Sequence, residues 1–402
     1  MASTLGWFLV GFPVALFLYT YGAYPAALWL LARRRAARAA RAPRRPAINS
    51  GVDRPLVSIV VPAYNEEAQI RGTIEALLAQ DYPADRRQIL ILSDASTDRT
   101  DEIVSEYASQ GVELLRMPAR GGKTAAENAA CAVLRGEIVV NSDSSVRLHP
   151  AAVRRLVEAM TDPRVGVAST RDVSVAAGSS TANAAEGGYV GYEMKIRGLE
   201  TRTGGIVGAS GSGYAIRSAL HRLPIRADLS RDFSAALTAR THGYSAVSVD
   251  DALCFVPRTA SLRSEYRRKV RTIARGIDTL IFQRHLLDPI HYGSFSWKLL
   301  SHKICRWAFP AMAILGIIGL ALLAPTQPWA AILLGAGVLV AIVAAIGALW
   351  PASLPIPRPL SLVTFAVAAN VAVVHALLRV AYGHEDHLWE PTRRTESPAG
   401  TS

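Results

Sequence analysis

The sequence predicts a cytoplasmic α/β domain inserted between transmembrane helices, and three observations support this prediction. Strands and helices alternate through the polar middle of the chain, long uncharged apolar segments lie near both ends, and a run of arginines follows the first of them. The chain has 402 residues, of which 50% are hydrophobic. That length suffices for a large core, and the hydrophobic fraction excludes intrinsic disorder. The three widely spaced cysteines exclude a disulfide scaffold and a cysteine-based zinc cluster.

The first apolar segment covers residues 1–32, which carry no charged side chain. About 20 apolar residues suffice to cross a bilayer, so this segment is long enough to span one. A cleaved signal peptide is the alternative interpretation, but no basic region precedes the apolar run and no small-residue cleavage site follows it. We therefore predict an N-terminal transmembrane helix.

A basic segment follows at residues 33–54. Its first part has no acidic residue and contains seven arginines, namely Arg33, Arg34, Arg35, Arg38, Arg41, Arg44 and Arg45. Arginines beside a span mark its cytoplasmic side. The formal net charge of +12 would also suit a nucleic-acid-binding protein. Because the position beside a span explains the arginine run, we expect no nucleic-acid partner.

Three further apolar segments lie near the C-terminus, at residues 308–324, 329–350 and 360–378. Their succession disfavours a buried helical hairpin. We expect one span before the polar middle and three after it, in a multi-pass protein of the plasma (inner) membrane. The basic segment then places the polar middle in the cytoplasm. The N-terminus and the C-terminal tail lie outside, unless the last segment is re-entrant.

The polar middle shows the alternation of a βαβ protein. Strands are predicted at residues 56–61, 88–92, 112–117 and 137–140, and helices at 66–80, 100–109 and 124–134. This alternation implies right-handed crossovers and a parallel sheet. In such sheets ligands bind beyond the carboxyl ends of the strands. Two acidic clusters, at residues 94–98 and around Asp143, fall at these ends and predict a binding site there.

Eight motifs then follow one another along the chain. They are residues 62–66 (PAYNE), 94–98 (DASTD), 121–123 (GGK), 143–145 (DSS), 192–193 (YE), 208–213 (GASGSG), 231–233 (RDF) and 268–271 (RKVR). The ordered set resembles family 2 glycosyltransferases with the A-type nucleotide-sugar fold, over residues 55–306. The flanking spans resemble the membrane-integrated branch, which includes cellulose, hyaluronan and poly-N-acetylglucosamine synthases.

The resemblance implies a fold and a domain organisation. The fold is an α/β A-type glycosyltransferase domain, with a Rossmann-like mixed sheet, inserted between transmembrane α-helices. We expect a transmembrane helix at 1–32, a basic cytoplasmic linker at 33–54, the glycosyltransferase domain at 55–262, amphipathic interface helices at 263–306, three transmembrane helices at 307–381 and a polar tail at 382–402.

The resemblance also implies a UDP-sugar donor, and it assigns residues to the nucleoside. Asp94 is the uridine-binding acid; a helix cap is the alternative, although Asp98 fits that role better. Pro62 and Tyr64 wrap the nucleobase. Glu66 either reaches the ribose or favours the N-terminus of the following helix, and the residues leave both interpretations open.

Lys123, Asp143 and Ser145 are predicted to meet the diphosphate. Lys123 follows two glycines that let the backbone approach a phosphate; a solvated lysine is the alternative. Asp143 occupies the first position of the family's Asp-x-Asp motif, and Ser145 stands where the second acid belongs. A hydroxyl is a poorer ligand than a carboxylate for a hard dication. We therefore expect Mg²⁺ or Mn²⁺ on Asp143 and Ser145, held weakly by the protein and chelated mainly by the donor.

The acceptor side is predicted from two motifs. Three glycines in the six residues 208–213 favour a loop, and the resemblance places Gly211, Ser212 and Gly213 against the acceptor. Asp232 occupies the position of the family's general base, with a helix cap as the alternative. The acid that usually precedes it is replaced by Arg231. This arginine would lower the pKa of Asp232 if the two side chains approach.

Arg268 and Arg271 are three residues apart and lie on one helix face. Two guanidiniums on one face suit a diphosphate, and the motif resembles the arginine element of processive synthases, with Thr272 in place of its tryptophan. A basic interfacial helix that touches anionic lipid is the alternative interpretation.

Three functions remain open on this sequence. The first is an inverting transferase that moves a sugar from a UDP-sugar to a growing polysaccharide and exports it. The second adds one sugar to a lipid-linked acceptor without translocation. The third is a catalytically inactive, nucleotide-binding membrane regulator, which the departures at Ser145 and Arg231 keep open. Four spans are few for an export channel, whereas the paired arginines favour the processive enzyme.

Overall fold

The computed structural model describes residues 2–41, 54–175, 182–257, 262–351, 354 and 356–383. Most of the predicted basic linker, including Arg44 and Arg45, and nearly all of the polar tail lie outside the described residues. The strands are β1 Val57–Ala63, β2 Arg87–Ser93, β3 Val112–Arg116, β4 Ile138–Ser142, β5 Arg147–Leu148, β6 Val165–Val175, β7 Gly213–Arg217 and β8 Ser245–Pro257.

Helices connect the strands of this sheet, and further helices precede and follow the α/β domain along the chain. They are α1 Ala2–Leu18, α2 Tyr24–Arg41, α3 Ile70–Leu78, α4 Thr100–Ser105, α5 Lys123–Ala130, α6 Ala152–Ala159, α7 Ala182–Arg202, α8 Ser218–His221, α9 Arg231–Thr241, α10 Leu262–Phe282, α11 Pro289–Tyr292, α12 Ser294–Leu299, α13 Cys305–Leu323, α14 Pro328–Ala348 and α15 Arg358–Ala381. A π-helical turn, Tyr19–Ala23, joins α1 to α2, and another, Leu300–Ile304, joins α12 to α13.

All eight strands form one mixed sheet in the order β3-β2-β1-β4-β7-β6-β8-β5. Strands β1 to β4 are parallel, which confirms the predicted βαβ part. Strand β7 runs antiparallel to both β4 and β6 and makes the sheet mixed. The parallel strands are mostly apolar because helices cover both sheet faces: in β1, Ile59 packs on one side and Val60 on the other.

The helix predicted at residues 66–80 begins later than expected, at Ile70. The backbone N–H of Glu66 donates to Oγ1 of Thr100 at 2.8 Å, and that of Glu67 donates to Oδ2 of Asp98 at 3.1 Å. These bonds join the turn after β1 to the neighbouring loop. The N–H groups of Gln69 and Ile70 both donate to the Glu66 carbonyl at 2.9 Å, so this turn leads directly into α3. In this neighbouring loop, Oδ1 of Asp98 accepts a 3.0 Å hydrogen bond from the backbone N–H of Thr100 at the start of α4. Asp98, and not Asp94, therefore makes this contact at the start of the helix.

Four helices in the described residues are long and apolar enough to span a membrane: Ser3–Arg38, Ser294–Leu323, Pro328–Ala348 and Arg358–Ala381. One precedes and three follow the α/β domain, as predicted. The second begins earlier than the predicted residue 308, because α12 continues into α13 through the π-helical turn. Helices α1 and α13 approach closely where Gly6 faces Leu323 and Gly319, since a Cβ on Gly319 would lie 2.9 Å from the Gly6 carbonyl oxygen.

Candidate active site

A cavity of about 410 Å³ opens at the carboxyl end of β4. Eight of the residues predicted from the sequence line it, namely Lys123, Asp143, Ser145, Gly211, Ser212, Asp232, Arg268 and Arg271. They come from five separate segments of the chain that the fold brings together. This volume lies in the range of small-molecule binding sites. We refer to it as the catalytic cavity.

Lys123 and Asp143 form an ion pair inside this cavity, with 2.5 Å between Nζ and Oδ1. Burial by itself lowers the pKa of Lys123, but the carboxylates of Asp143, Glu127 and Asp232 outweigh it and raise the pKa above its usual value. The lysine therefore stays an ammonium group. A fixed positive charge at the end of the sheet is suited to an anionic ligand group.

Asp94 is buried and holds the glycine loop that precedes this lysine. Its two carboxylate oxygens accept hydrogen bonds of 2.8 Å from the backbone N–H groups of Gly121 and Gly122. In the structure these oxygens position the loop from which Lys123 projects. Their contact with uridine stays a prediction. Asp94 does not line the catalytic cavity.

The other residues predicted to bind the nucleoside lie outside the catalytic cavity as well. Tyr64 lies under Arg120, whose guanidinium carbon is 3.9 Å from the ring centroid. Pro62 lies within the buried strand β1. Glu66 is 5% exposed, and its Oε1 accepts a 2.8 Å hydrogen bond from Ser144. Glu66 thus ties the end of β1 to the loop after β4, a role that neither sequence interpretation included.

Two non-glycine residues at this edge of the sheet have left-handed backbone conformations. Asn65 follows β1 with a φ of 52°, and Ala95 follows β2 with a φ of 58°. The Asn65 side chain secures the arrangement, because its Oδ1 accepts a 2.8 Å hydrogen bond from the N–H of Thr97. Such conformations cost about 1 kcal/mol or more and concentrate at functional sites. The strain therefore coincides with the predicted nucleoside end of the site.

Asp232 projects into the catalytic cavity from the first turn of α9. Its Oδ1 accepts a hydrogen bond from the hydroxyl of Ser230. Its Oδ2 lies beside Gly211, where a Cβ would come within 2.7 Å of that oxygen. The glycine-rich loop therefore packs against this carboxylate, which places the predicted base and the predicted acceptor loop in contact.

Arg231 turns away from Asp232, contrary to the possibility considered from the sequence. It is 4% exposed, and its guanidinium donates to the side chain of Asn128 and to the backbone carbonyl of His221. Its Nε also lies 3.9 Å from Oε2 of the fully buried Glu127. The residue that replaces the family's first acid is thus bound in the core under β4 and β7.

His221 in this buried cluster is held as a neutral ring. Its Nδ1 lies 3.2 Å from a guanidinium nitrogen of Arg231, and its Nε2 lies 3.1 Å from Oδ1 of Asn141. Burial, followed by the charges of Arg231 and Arg222, holds the pKa of His221 well below its usual range. The buried cluster of Arg231, His221 and Asn128 therefore packs below the catalytic cavity and holds the charge of Arg231 there.

Arg268 and Arg271 both line the catalytic cavity from α10. Arg268 makes a two-pronged ion pair with Glu265, with distances of 2.8 Å and 2.7 Å. This contact fixes the guanidinium plane, which the sequence did not predict. Arg275, one turn further along α10, lines the cavity as well and donates to the backbone carbonyl of Leu229 at 2.7 Å.

Three further charged residues in the catalytic cavity were missed by the sequence reasoning, namely Asp172, Arg197 and Lys303. A fourth, Glu193, belongs to the motif at residues 192–193, but the sequence assigned it no role. Asp172 accepts a 2.5 Å hydrogen bond from Ser210, and burial raises its pKa. Glu193 binds Arg306 at 2.7 Å, and although burial opposes it, the charges of His302 and Arg306 hold the pKa of Glu193 well below its usual value. For Arg197, the available sequence signal was its four-residue spacing from Glu193 on α7.

The residues at Asp143 fit a divalent cation only partly. In the described residues, no group of three or more His, Cys, Asp or Glu side chains is arranged to hold a metal ion. Asp143 offers one carboxylate, of which Oδ1 binds Lys123, and Ser145 offers one hydroxyl. This set fits Mg²⁺ or Mn²⁺ that arrives chelated by a diphosphate, and it does not amount to a metal site of the protein alone.

The mixed sheet, with helices on both faces and a charged cavity at the ends of its parallel strands, defines a GT-A type fold. The solved structure of the mannosyltransferase PcManGT from Pyrobaculum calidifontis, in complex with GDP-Man and Mn²⁺, matches with a TM-score of 0.71 and 22% sequence identity. The match covers 94% of this chain and 100% of that chain. This likeness establishes the shared fold.

Residues 58–220 match the Glycosyl transferase family 2 model, so the chain contains a domain of this family. The beta-monoglucosyldiacylglycerol synthase of Synechocystis is 31% identical over 176 residues, which are 42% of this chain and 37% of that protein. A dolichyl-phosphate beta-glucosyltransferase of Trichomonas vaginalis is 37% identical over 98 residues, 22% of this chain and 30% of that protein. The chain thus spans about a third of the length of these two relatives. The closer resemblance to cellulose and hyaluronan synthases stays a prediction.

Proposed function

We propose that the protein is an inverting glycosyltransferase that moves one sugar from a nucleotide sugar to a lipid acceptor at the membrane surface. One observation carries this proposal. The catalytic cavity joins the Lys123–Asp143 pair and Asp232 to Lys303 and Trp307, which lie on the candidate span Ser294–Leu323. A water-soluble donor and a membrane-held acceptor would therefore meet in one cavity.

The donor diphosphate is assigned to the cationic wall of the cavity. Lys123, Arg268 and Arg271 would stabilise the negative charge that develops as the nucleoside diphosphate leaves. The nucleoside would extend toward the Tyr64–Arg120 stack, beyond the loop that Asp94 holds. We propose a UDP-sugar as the donor; because the matched PcManGT structure contains GDP-Man, a GDP-sugar is the competitor to test.

A divalent cation would enter with the donor. Asp143 would hold Mg²⁺ or Mn²⁺ with one carboxylate oxygen, and Ser145 would add a hydroxyl. Such an ion supplies Lewis-acid stabilisation to the diphosphate. The ammonium of Lys123 contributes charge to the same region whether or not the ion is bound.

Asp232 is proposed as the general base. Inversion requires the acceptor hydroxyl to lose its proton as it attacks the anomeric carbon, and a positioned carboxylate takes that proton. Ser230 and Gly211 fix the orientation of the Asp232 carboxylate, and Arg231 leaves it without an ion-pair partner on the adjacent residue. Together with the Lys123–Asp143 pair, this geometry supports an enzyme over the inactive regulator.

A lipid acceptor is preferred to a growing polysaccharide for two reasons. Two relatives carry names that describe lipid acceptors, a glucosyldiacylglycerol synthase and a dolichyl-phosphate glucosyltransferase. In addition, the cavity reaches the base of a candidate span through Trp307. The paired arginines keep polysaccharide synthesis as the second candidate.

The test is a donor panel with product sizing. Purified full-length protein is incubated with radiolabelled UDP-glucose, UDP-N-acetylglucosamine, UDP-galactose, UDP-glucuronate and GDP-mannose, together with a bacterial lipid extract. One labelled sugar in an organic-soluble product supports the proposal. A water-soluble or insoluble polymer supports the polysaccharide synthase and overturns it, and the absence of product with every donor supports the inactive regulator.

The predicted orientation is part of the proposal. Nucleotide sugars are made in the cytoplasm, so the α/β domain should lie there, between one span before it and the spans after it. A reporter enzyme fused after Arg45 is expected to report a cytoplasmic position. A periplasmic signal at that point would contradict both the orientation and the donor class.

A further inference from the structure

A second cavity, of about 280 Å³, lies between α10, the end of α15 and the loop before α9. We call it the α10–α15 cavity. Its charged lining consists of the four arginines Arg226, Arg271, Arg275 and Arg379 and the two acids Asp228 and Asp278. Arginines outnumber carboxylates two to one, so the cavity favours an anionic ligand.

Two of the four arginines, Arg226 and Arg275, are held in place by contacts with the loop before α9 and with Phe282. Arg275 donates to the backbone carbonyls of Ala227, Asp228 and Leu229 at 3.1, 3.1 and 2.7 Å, which fixes its guanidinium plane. Arg226 binds Asp228 at 2.7 Å and lies 5.8 Å from the ring centroid of Phe282. Planar guanidiniums held in this way match the oxygens of a phosphate group.

The rest of the cavity lies beside apolar surface. Ile281 and Phe282 line it and are 52% and 57% exposed. Arg379 and Val380 belong to the last turn of α15, which is long and apolar enough to span a membrane. A phosphate-binding wall at the end of an apolar helix, next to exposed large apolar side chains, is the arrangement expected at the depth of lipid headgroups.

Helix α15 packs along α10, and its C-terminal residues Arg379 and Val380 lie beside the α/β domain. This placement favours the re-entrant alternative for the last apolar segment over a tail on the opposite side of the membrane. Val270 is buried against Ala372 and Ala376, and the Tyr266 hydroxyl lies 3.0 Å from Nδ1 of His375. This packing places the α10–α15 cavity next to the catalytic cavity, and the two share Arg271 and Arg275 in their linings. A ligand in one cavity therefore contacts side chains that line the other.

We propose that the α10–α15 cavity binds the phosphate of an anionic membrane phospholipid and thereby holds Arg271 at the edge of the catalytic cavity. The proposed phosphate position lies beside Arg226 and Arg379, which do not line the catalytic cavity, whereas Arg271 lines both cavities. The lipid phosphate contacts Arg226 and Arg379, and the acyl chains of the lipid lie along Ile281 and Phe282. Arg271 and Arg275, which line both cavities, couple lipid binding to the catalytic cavity.

The test compares lipid retention in three variants. Full-length protein is reconstituted in phosphatidylcholine with or without phosphatidylglycerol, and retained lipid is measured by native mass spectrometry after detergent extraction. Arg226→Gln and Arg379→Gln, which do not line the catalytic cavity, should each weaken phosphatidylglycerol retention about fivefold. Arg267→Gln is the matched control, because Arg267 is exposed on α10 and does not line the cavity.

The same preparations separate the competing explanations. Inorganic phosphate added in excess should not displace phosphatidylglycerol; displacement would identify free phosphate as the ligand and overturn the lipid assignment. Equal loss in Arg267→Gln would show general surface attraction instead of a site. Retention unchanged in both cavity variants would also refute the proposal. None of these readouts depends on sugar transfer, so they stand apart from the proposed enzymatic function.

Discussion

The contact between Gly211 and Asp232 permits a sharp test of how the base is positioned. A Cβ on Gly211 would lie 2.7 Å from Oδ2 of Asp232, which is about 0.7 Å short of the 3.4 Å at which ordinary contact begins. Gly211→Ala therefore forces the carboxylate or the loop to move by that amount. The backbone of Gly211 is not in the left-handed region, so alanine itself is tolerated there.

We expect Gly211→Ala to slow sugar transfer and to leave donor affinity nearly unchanged. A displacement of about 1 Å at a reacting group costs roughly a hundredfold in rate, so Gly211→Ala should lose about tenfold to a hundredfold. Donor affinity, measured by isothermal titration calorimetry with UDP, should change little because Gly211 is not among the donor groups. Transfer is measured as the nucleoside diphosphate released in the presence of lipid extract.

Two controls make the result decisive. Gly191→Ala is the matched variant, since a Cβ on Gly191 in α7 meets nothing within 4 Å. In an Asp232→Asn background the Gly211→Ala change should have little further effect, because both changes act on the same carboxylate. Near-normal transfer by a folded Gly211→Ala protein, or full additivity in the double variant, would refute the assignment.

Three further predictions concern the charges around the cavity. Lys123→Gln removes the ammonium that pairs with Asp143, and UDP affinity measured by calorimetry should fall at least about tenfold; an unchanged affinity would place the diphosphate elsewhere. Ser145→Asp adds a second carboxylate, so Mn²⁺ titration with UDP present should show tighter binding, and an unaltered titration would show that Ser145 is not at the ligand position. Because the pKa of His221 is lowered in the folded protein, its neutral form stabilises the fold above the ordinary histidine pKa of about 6.5, and this stability is lost as the pH falls below that value. The loss is at most about 1.4 kcal/mol per pH unit and should be smaller in His221→Gln, as measured by thermal unfolding in detergent at several pH values; an identical acid-induced loss in the variant would assign it to other groups.

The sequence allowed prediction of those features that short-range patterns encode. The four parallel strands are apolar runs bounded by polar turns, and the spans are uncharged segments of sufficient length, so both were recognised. The motif residues Lys123 and Asp143 meet in one cavity because they follow parallel strands whose carboxyl ends lie at one sheet edge. Asp232 and Arg268 reach the same cavity from the helices α9 and α10.

The direction in which a side chain points was harder to predict. Asp94 is predicted to contact the nucleoside, and the sequence did not reveal that its carboxylate also accepts hydrogen bonds from two backbone N–H groups of the glycine loop. Arg231 stands next to Asp232 in sequence, yet it turns into the core because the side chain of Asn128, 103 residues away, and the backbone carbonyl of His221 accept hydrogen bonds there. Such long-range partners leave no local pattern.

The charged wall of the cavity was missed for a related reason. Asp172 comes from β6, Arg197 from α7 and Lys303 from the turn before α13. No motif joins these segments, and their proximity results from the antiparallel half of the sheet and from the docking of the candidate span. Only the three-dimensional arrangement reveals them.

Asp232→Asn tests the central claim most directly. Asparagine preserves the shape of the side chain and removes its basicity, so the variant should fold normally and bind UDP as the wild type does. Transfer should fall by about 10²- to 10⁴-fold, whereas Asp251→Asn, an exposed change on β8, should leave it unchanged. Near-normal transfer by Asp232→Asn would contradict the account and move the base to another carboxylate of the cavity, of which Asp172 is the first to test.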